Sequence, residues 1–402
     1  MSAKPILNVA LVGYAFMGRA HSNAYQQVGR FFADCPYDIR RKVIVARNAS
    51  KLAAAAATWG WEEHSTDYDA VIARPDIDVV DITTPPDGHY ILAKKALLAG
   101  KHVLCEKPLA LNVDEAKELA ELARKKKRTC GVWHAYRFCP AASTAARICR
   151  EGRLGENRHV RGTYLQDWLN DPLLGAGWRT QKSISGSGSH GDLNSHLIDM
   201  TRFITGLEFE SVNGLARTFV DKRPSGDGKG MAKVDVDDAF LFLAQLQGGA
   251  VASFEATRFA SGHKNTNFIE INGSKGSLRW DFHRMNELQF FSFDDPAHIQ
   301  GWHTIMCLDS AAHPYAGNWW PNGHHIGYEH CFTNMLSDWL FALAAGKPFR
   351  PDFADGVAVM EVVDAALASA KSQQWVKVKR SQKFAGPAPV RMPAAAETNA
   401  GL

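Results

Sequence analysis

Two groups of side chains, far apart in the sequence, are of the types that acid–base chemistry requires. The first is Glu106-Lys107-Pro108, which directly follows a short apolar run at residues 102–105. Such a run is typical of a buried strand, and ligands of open α/β sheets bind beyond the carboxyl ends of the strands. Because proline stiffens the turn behind the lysine, the sequence predicts that Lys107 faces a bound ligand.

The second group is Asp192 and His196, which follow a glycine- and serine-rich stretch at residues 186–191. Side chains four residues apart lie on the same face of a helix, and Asp199 continues this polar stripe. Histidine has the unperturbed pKa nearest to neutrality, so the pair suits proton transfer from a hydroxyl group. Alternatively, Asp192 caps the helix and His196 packs at a helix–sheet contact; the presence of Lys107 favours the catalytic interpretation.

A glycine-rich loop near the start of the sequence predicts a site for a dinucleotide. The loop, residues 13–18, follows an apolar run at residues 8–12 and opens a helical pattern. Its outer glycines permit a tight turn and close packing, and the N–H groups of the helix start attract a pyrophosphate. Alanine replaces the middle glycine of this fingerprint. The residues expected at the pyrophosphate are Gly13, Ala15, Phe16, Met17 and Gly18.

The end of the second predicted strand bears on which dinucleotide is bound. A carboxylate there binds the ribose 2′-hydroxyl of NAD, whereas an arginine accommodates the 2′-phosphate of NADP. This sequence has Arg47, Asn48, Ser50 and Lys51 and no acidic residue at that place, so NADP is favoured over NAD. Alternatively, Arg47 lies over the adenine ring, which is compatible with either cofactor.

The spacing of apolar residues predicts an α/β protein of two domains. Strand and helix patterns alternate over residues 1–140, which predicts a Rossmann dinucleotide-binding domain with a parallel sheet. Residues 141–380 show longer alternating runs with turn signals, which predict an α/β domain built on a large, mostly antiparallel open sheet. Helices are predicted over residues 326–345 and 355–370. The Ala- and Pro-rich residues 381–402 are predicted to form a flexible tail.

Composition argues against several classes of function. The chain has 402 residues and a net charge of +4, and its densest cationic run closes a helical pattern, so no nucleic-acid surface is expected. No apolar segment approaches the roughly 20 residues that span a membrane, and no signal peptide is visible. Seven cysteines without a Cys-x-x-Cys pair indicate a reduced, cytoplasmic protein. The histidines lack zinc-type spacing, so no metal site is expected.

The order of these motifs resembles the glucose–fructose oxidoreductase / inositol dehydrogenase (Gfo/Idh/MocA) family. The resemblance implies that the open sheet of the second domain joins copies of the chain into a homodimer or homotetramer. It also implies a catalytic set of Lys107, Asp192 and His196. The motifs that carry it are residues 13–18, Thr84-Pro85, Glu106-Lys107-Pro108, Tyr136-Arg137, and Asp192 with His196. The cofactor contacts that it implies are Thr84, Pro85, His89, Glu106 and Lys107.

Further stretches resemble the branch of this family that contains levoglucosan dehydrogenases and glycoside 3-dehydrogenases. They include residues 162–168, 178–179, 255–258 and 313–315. Their polar side chains suit the hydroxyls of a carbohydrate and their tryptophans suit its apolar face; core packing is the alternative for each aromatic residue. The candidate substrate residues are Tyr136, Gln166, Trp168, Trp178, Arg179, Arg258 and His313.

The resemblance therefore implies an NAD(P)-dependent dehydrogenase of a pyranose, anhydrosugar or glycoside, which oxidises a ring hydroxyl, at C3, to a ketone. In this interpretation His196 accepts the hydroxyl proton, Lys107 stabilises the developing alkoxide and Asp192 orients the substrate. Two alternatives stay open. One is a redox-neutral enzyme that uses transient oxidation to cleave or dehydrate its substrate, and the other is a non-catalytic sensor of a dinucleotide or a sugar.

Overall fold

The structure, a computed structural model, describes residues 4–226 and 228–381. The chain divides into two compact units, one formed by residues up to 135 together with 327–357, the other by residues 136–326 and those from 358 onward. Most of the predicted tail, residues 382–402, lies outside the described residues. Within the described ranges, no helix is both long enough and apolar enough to cross a membrane.

Strands and helices alternate strictly in the first part of the chain. In order they are β1 (Ile6–Val12), α1 (Phe16–Phe31), β2 (Asp38–Val45), α2 (Ala49–Trp59), β3 (Glu63–Ser65), α3 (Tyr68–Ala73), β4 (Val79–Ile82), α4 (His89–Leu98), β5 (His102–Cys105), α5 (Val113–Lys126) and β6 (Cys130–Val132). The remaining elements are α6 (Pro140–Arg150), β7 (Asn157–Leu165), α7 (Lys182–Ser185), α8 (Ser195–Thr205), β8 (Phe209–Arg217), β9 (Lys222–Pro224), β10 (Met231–Lys233), β11 (Ala239–Leu246), β12 (Val251–Thr257), β13 (Thr266–Gly273), β14 (Gly276–Asp281), β15 (Glu287–Ser292), β16 (His303–Met306), α9 (Tyr328–Ala344), α10 (Phe353–Ser372) and β17 (Val376–Lys377).

The first unit contains a parallel sheet with the strand order β3-β2-β1-β4-β5-β6. β4 is buried along its whole length, as a parallel strand with both faces covered must be. Because the strands are parallel, the loops after β1, β4 and β5 lie at one edge of the sheet, beside the point where the strand order reverses. The predicted Rossmann fold is confirmed.

The helix α9 belongs to the first unit, whereas the sequence analysis assigned residues 326–345 to the second domain. Its buried face explains the difference, because a helix with this much apolar surface requires an apolar partner. Phe332 contacts the rings of His21 and Trp133, and Trp339 lies edge-on to His102. These contacts are long-range in sequence, so the helix could be predicted but not its unit.

The second unit is built on a nine-stranded sheet with the order β16-β15-β14-β13-β7-β12-β11-β8-β17. Neighbouring strands are antiparallel except for the β7–β12 pair, which confirms the large, mostly antiparallel sheet that was expected. Along β11, Phe240 and Phe242 are buried and Leu241 and Leu243 are exposed. One face of the sheet therefore forms the core of the unit.

Candidate functional site

The glycine loop of the first unit is closely packed at both ends. Gly13 has a φ of 110°, and a Cβ built on it would lie 2.5 Å from Thr83 Oγ1. A Cβ on Gly18 would lie 2.4 Å from the Gly13 carbonyl oxygen. Neither position accepts a larger residue in this backbone. The predicted tight turn is therefore required by the contact of Gly13 with Thr83, after β4, and by the contact of Gly18 with Gly13 inside the loop.

The start of α1 is open for an anion. Ala15 is the N-cap residue; no side chain of the described residues caps this helix, and its first turn has no acidic residue. The N–H groups of Phe16, Met17 and Gly18 are thus the donors that a helix start offers to a phosphate. In addition, the buried Oγ1 of Thr84, in the loop after β4, has no hydrogen-bond partner among the described residues. A dinucleotide phosphate fits this donor set.

The residues after β2 are exposed, and one of them has a structural role that the sequence analysis did not assign. Asn48 Oδ1 accepts a hydrogen bond from the Lys51 N–H at 3.0 Å and so caps α2. Arg47 and Ser50 are exposed. Asn48 was expected to contact the cofactor; its side-chain oxygen is instead occupied by the helix it begins.

His89 joins the loops after β4 and β5 rather than facing solvent. Its ring nitrogens lie 2.8 Å from the Thr84 carbonyl oxygen and 2.7 Å from the Pro108 carbonyl oxygen, and the residue is fully buried. The sequence analysis expected a direct cofactor contact from His89. Because its ring is enclosed between two carbonyl groups, its part is to hold Thr84, Pro85 and Pro108 in place.

Glu106 and Lys107 follow β5 as expected. The Glu106 carboxylate is almost fully buried: Oε1 lies 3.0 Å from His21 Nε2, and Oε2 accepts a hydrogen bond from the Lys107 backbone N–H at 3.1 Å. Lys107 itself is half-buried. Burial and these two contacts leave Glu106 little freedom to meet a ligand, so it supports the lysine beside it.

In the second unit, Asp192 and His196 occupy two kinds of helical backbone. Asp192 lies in a π-helical turn, His190–Asn194, and His196 in the first turn of α8. The turn is held by the Asp237 carboxylate, which accepts hydrogen bonds from the N–H groups of Gly188 and His190 and from Ser189 Oγ at 2.7–2.8 Å. Asp192 is therefore not the helix cap that the alternative interpretation required.

Two arginines hold the Asp192 carboxylate. Arg258 Nη2 donates to Asp192 Oδ2 at 2.8 Å, and Arg179 Nε lies 3.6 Å from the same oxygen. Arg258 is fully buried, so it cannot take the direct substrate contact that the sequence analysis gave it, and it orients Asp192 instead. Arg179 is more exposed and stacks on Trp178, 4.0 Å from the ring centroid.

His196 is half-buried beside two tyrosines. Its ring centroid lies 4.7 Å from that of Tyr136 and 5.8 Å from that of Tyr164. The two tyrosine hydroxyls are 2.8 Å apart. Burial raises the pKa of Tyr164, and the nearby Asp192 carboxylate adds to the increase. Asp199, the third member of the predicted polar stripe, is buried in an ion pair with Arg137 and takes no part in this group.

A polar ledge, formed by Trp168, Gln166 and Asn265, lies in the same unit. Trp168 Nε1 donates to Gln166 Oε1 and Gln166 Nε2 donates to Asn265 Oδ1, both at 2.8 Å. Trp168 is 41% exposed, so its face is open to a ligand. Asn265 was missed by the sequence analysis, and the signal for it is no more than a polar residue directly before β13.

His313 does not belong to these groups. The residue is buried, its Nδ1 lies 3.1 Å from Thr144 Oγ1, and burial lowers the pKa of the ring. His313 was predicted to contact the substrate; in the structure its ring packs against α6, an arrangement that the sequence analysis did not consider for this residue.

Both units match known families. A model described as an oxidoreductase family with an NAD-binding Rossmann fold (GFO_IDH_MocA) matches residues 7–134, and the GFO/IDH/MocA C-terminal domain model matches residues 142–279. Levoglucosan dehydrogenase of Pseudarthrobacter phenanthrenivorans is 40% identical, over 92% of this chain and 98% of that protein. Inositol 2-dehydrogenase of Rhizobium meliloti is 25% identical, over 92% of this chain and 98% of that protein.

Solved structures show the same likeness over nearly the whole chain. An oxidoreductase domain protein from Kribbella flavida is 44% identical with a TM-score of 0.90, covering 93% of this chain and 100% of that one. Levoglucosan dehydrogenase in complex with NADH and levoglucosan is 40% identical with a TM-score of 0.89, covering 93% of this chain and 99% of that one.

Proposed function

Because the chain belongs to the GFO/IDH/MocA oxidoreductase family, we propose that it is a dehydrogenase of a pyranose, anhydrosugar or glycoside. The reaction is oxidation of a ring secondary hydroxyl, at C3, to a ketone. The observation that carries the proposal is the Asp192 carboxylate, which lies one helical turn before the half-buried His196. The buried Arg258 fixes this carboxylate by a hydrogen bond. A protein that only binds a dinucleotide has no need of such a group.

Each residue has one part in the proposed reaction. His196 accepts the proton of the hydroxyl that is oxidised, and the Lys107 ammonium stabilises the negative charge that develops on its oxygen. Asp192 is acceptor-only when ionised, so it orients the sugar by accepting from a hydroxyl while Arg258 keeps it in position. Trp168 covers an apolar face of the sugar, and Gln166, Tyr136 and Arg179 bind its hydroxyls.

The dinucleotide is held by the first unit. The open start of α1 would hold the pyrophosphate, and Thr84 Oγ1 provides a polar atom that no described residue uses as a hydrogen-bond partner. A nicotinamide dinucleotide held there would supply the hydride acceptor for the carbon that is oxidised. Levoglucosan dehydrogenase, the relative described above, has been solved with NADH.

We propose further that NADP is accepted, and preferred to NAD. The support is the exposed Arg47 and Ser50 after β2, at the place where a carboxylate would repel a 2′-phosphate. Exchange of Arg47 for aspartate should shift the NADP/NAD ratio of kcat/KM toward NAD by about tenfold or more. An unchanged ratio would assign Arg47 to the adenine ring.

The test is reduction of NAD and NADP with a panel of levoglucosan, glucosides, free pyranoses and inositols. Turnover with one sugar class, and a 3-keto product by NMR, are expected. Lys107→Ala and His196→Ala should each lower kcat by about a hundredfold or more. Lys95 and His303 provide matched controls, since their side chains are 42% and 48% exposed and Lys95→Ala and His303→Ala each remove only a surface contact, with Asp69 and with Asp295.

Other outcomes would redirect the assignment. Cleavage or dehydration of a sugar without net NADH would favour the redox-neutral enzyme. Tight dinucleotide binding with no conversion of any substrate would favour the sensor. Full turnover by both alanine variants would remove Lys107 and His196 from the reaction.

We also propose that copies of the chain associate through the open face of the nine-stranded sheet, as a homodimer or homotetramer. The support is a group of exposed aliphatic side chains on neighbouring strands, in which Leu241 is paired with Leu215. Such a patch is typical of an interface. Light scattering should report an oligomer for the wild type and a smaller species for Leu241→Glu; a monomeric wild type would contradict the proposal.

A further inference from the structure

A fully buried histidine in α1 lies between two acidic side chains. His21 Nδ1 is 3.0 Å from Asp81 Oδ2, and His21 Nε2 is 3.0 Å from Glu106 Oε1. Asp81 is the only acidic residue of β4 and is itself fully buried. Its second oxygen, Oδ1, accepts a hydrogen bond from Trp133 Nε1 at 2.9 Å. We call His21, Asp81, Glu106 and Trp133 the carboxylate–histidine cluster.

The cluster is polar but nearly sealed from solvent. The rings of Trp133 and Phe332 lie 4.1 Å and 5.6 Å from the His21 ring. Tyr25 from α1 and Cys105 from β5 also face the carboxylates, whose charges contribute to raising the pKa of both groups in addition to burial. Removing the Asp81 and Glu106 carboxylates from water therefore costs free energy. A cluster of this kind calls for an explanation beyond packing.

The charge on the ring follows from its partners. A carboxylate is an acceptor only, and a neutral imidazole has one N–H, so two carboxylate partners require both ring nitrogens to donate. Burial by itself lowers the pKa of His21, but the charges and hydrogen bonds of Asp81 and Glu106 outweigh it and raise the pKa to about 9. His21 is thus an imidazolium near neutral pH.

The cluster leads directly to the proposed catalytic lysine. The two carboxylate oxygens of Glu106 have different partners. Oε1 accepts a hydrogen bond from His21 Nε2, and Oε2 accepts one from the Lys107 backbone N–H at 3.1 Å. Asp81 and Trp133 fix the other side of the ring. The lysine backbone is therefore tied, through one carboxylate and one imidazolium, to the helix that begins at the dinucleotide loop.

We propose that His21 is a positioning residue for the reaction: its imidazolium orients the Glu106 carboxylate, which in turn fixes the backbone of Lys107. The proposal rests on the role given to Lys107 above. His21 touches neither substrate nor reacting atoms in this scheme. Its loss changes where the ammonium group of Lys107 is held, and misplacement of a reacting group costs rate more than binding.

The first experiment compares His21→Gln with Glu106→Gln and with the double variant. Each single variant should lower kcat by about ten- to a hundredfold with KM and the dinucleotide Kd within about threefold. If His21 acts through Glu106, the double variant should be no slower than the slower single variant. Multiplied losses in the double variant, or a loss confined to KM, would overturn the proposal.

The matched control is His102→Gln. His102 begins the same strand, β5, and its Nδ1 accepts a hydrogen bond from the Thr129 N–H at 3.0 Å. The variant therefore also loses a histidine hydrogen bond, a partly buried one, at the opposite end of the strand. Its kcat should stay within about twofold of the wild type. A kcat loss as large as that of His21→Gln would mean that any disturbance of β5 slows the reaction.

Two further readouts do not depend on turnover. ¹⁵N NMR of the wild type should show the His21 ring protonated on both nitrogens at pH 7.5, with the signal identified by its absence in His21→Gln. Hydrogen exchange at the Lys107 amide should accelerate about tenfold in His21→Gln but not in His102→Gln. A neutral ring, or unchanged exchange, would overturn the proposal even if no sugar proved to be a substrate. If His21→Gln failed to fold, the ring signal that moves in Glu106→Gln would identify His21 instead, because Glu106 contacts its Nε2.

Discussion

Two buried histidines, one in each unit, have opposite charge preferences. His21 is fully buried in the first unit, where carboxylates raise its pKa to about 9. His190 is equally buried in the second unit, where burial lowers its pKa to about 4 although the Asp237 charge and the Val363 carbonyl oppose the decrease. Burial is therefore not what decides the charge of a histidine. Whether charged partners outweigh burial decides it: two carboxylates meet the His21 ring, whereas a carbonyl oxygen and an amide meet the His190 ring.

The hydrogen bonds of His190 are those of a neutral ring. Its Nε2 lies 3.1 Å from the Val363 carbonyl oxygen, which needs a donor, and its Nδ1 accepts from the Asn194 amide at 3.1 Å. One N–H and one lone pair satisfy both partners. Asp237 is also close, but its oxygens are engaged by backbone N–H groups and Ser189, so its charge is already stabilised.

The largest effect expected from this comparison is the loss of His21. Substitution by leucine would leave Asp81 and Glu106 as two buried carboxylates without the cation between them. Removing one partner of a buried charged group destabilises a protein by about 3–5 kcal/mol. Denaturant unfolding at pH 7 should show a loss of this size for His21→Leu and a smaller one, about 1–3 kcal/mol, for His190→Leu, which leaves only neutral partners unpaired. Equal losses would mean that the charge of His21 contributes nothing.

The next effect concerns Asp237, which organises the turn that contains His190 and Asp192. An asparagine there offers one acceptor oxygen and an unwanted donor to three donor groups. Asp237→Asn should therefore lower the free energy of unfolding by about 2–3 kcal/mol and lower kcat, because Asp192 belongs to the same turn. It should also lower the pKa of His190 further, which NMR titration would measure. An increase in that pKa would contradict the role given to the Asp237 charge.

The sequence predicted the parts of the molecule that depend on local pattern. The glycine loop, the strand before Lys107 and the large second sheet follow from residue types and spacing within a few positions of each other. The carboxylate–histidine cluster could not be predicted, because His21 in α1, Asp81 in β4 and Glu106 after β5 are brought together by tertiary packing. Nothing in the sequence indicates that a histidine in an amphipathic helix contacts an aspartate in an apolar strand 60 residues later.

The same limit explains why three residues that were predicted to contact a ligand are buried in the structure. His89, Arg258 and His313 have side chains that suit a ligand, but burial is a property of the packed fold. Arg258 pairs with Asp192 across 66 residues of sequence. The unit of α9 was likewise decided by contacts with residues near positions 21 and 133. The residue type shows which groups a side chain can bind, and the tertiary contacts decide whether it binds a ligand or another side chain.

The smallest effect is a pair of opposite pH slopes in stability. His21 has a folded pKa above the unfolded value of 6.5, so its contribution is complete below pH 6.5 and is lost as the pH rises through about 9. His190 has a folded pKa below 6.5, so its contribution is complete above pH 6.5 and is lost as the pH falls toward 4. Each slope is at most about 1.4 kcal/mol per pH unit.

Other groups titrate over the same range, so the slopes are read as differences from matched variants. The free energy of unfolding of the wild type, minus that of His21→Gln, should decrease between pH 6.5 and 9 and stay level from 6.5 to 5. The difference from His190→Gln should show the reverse, level above pH 6.5 and decreasing below it. If both differences slope in the same direction, the two rings have the same charge preference, and the distinction between a carboxylate-bound and a carbonyl-bound histidine fails for this protein.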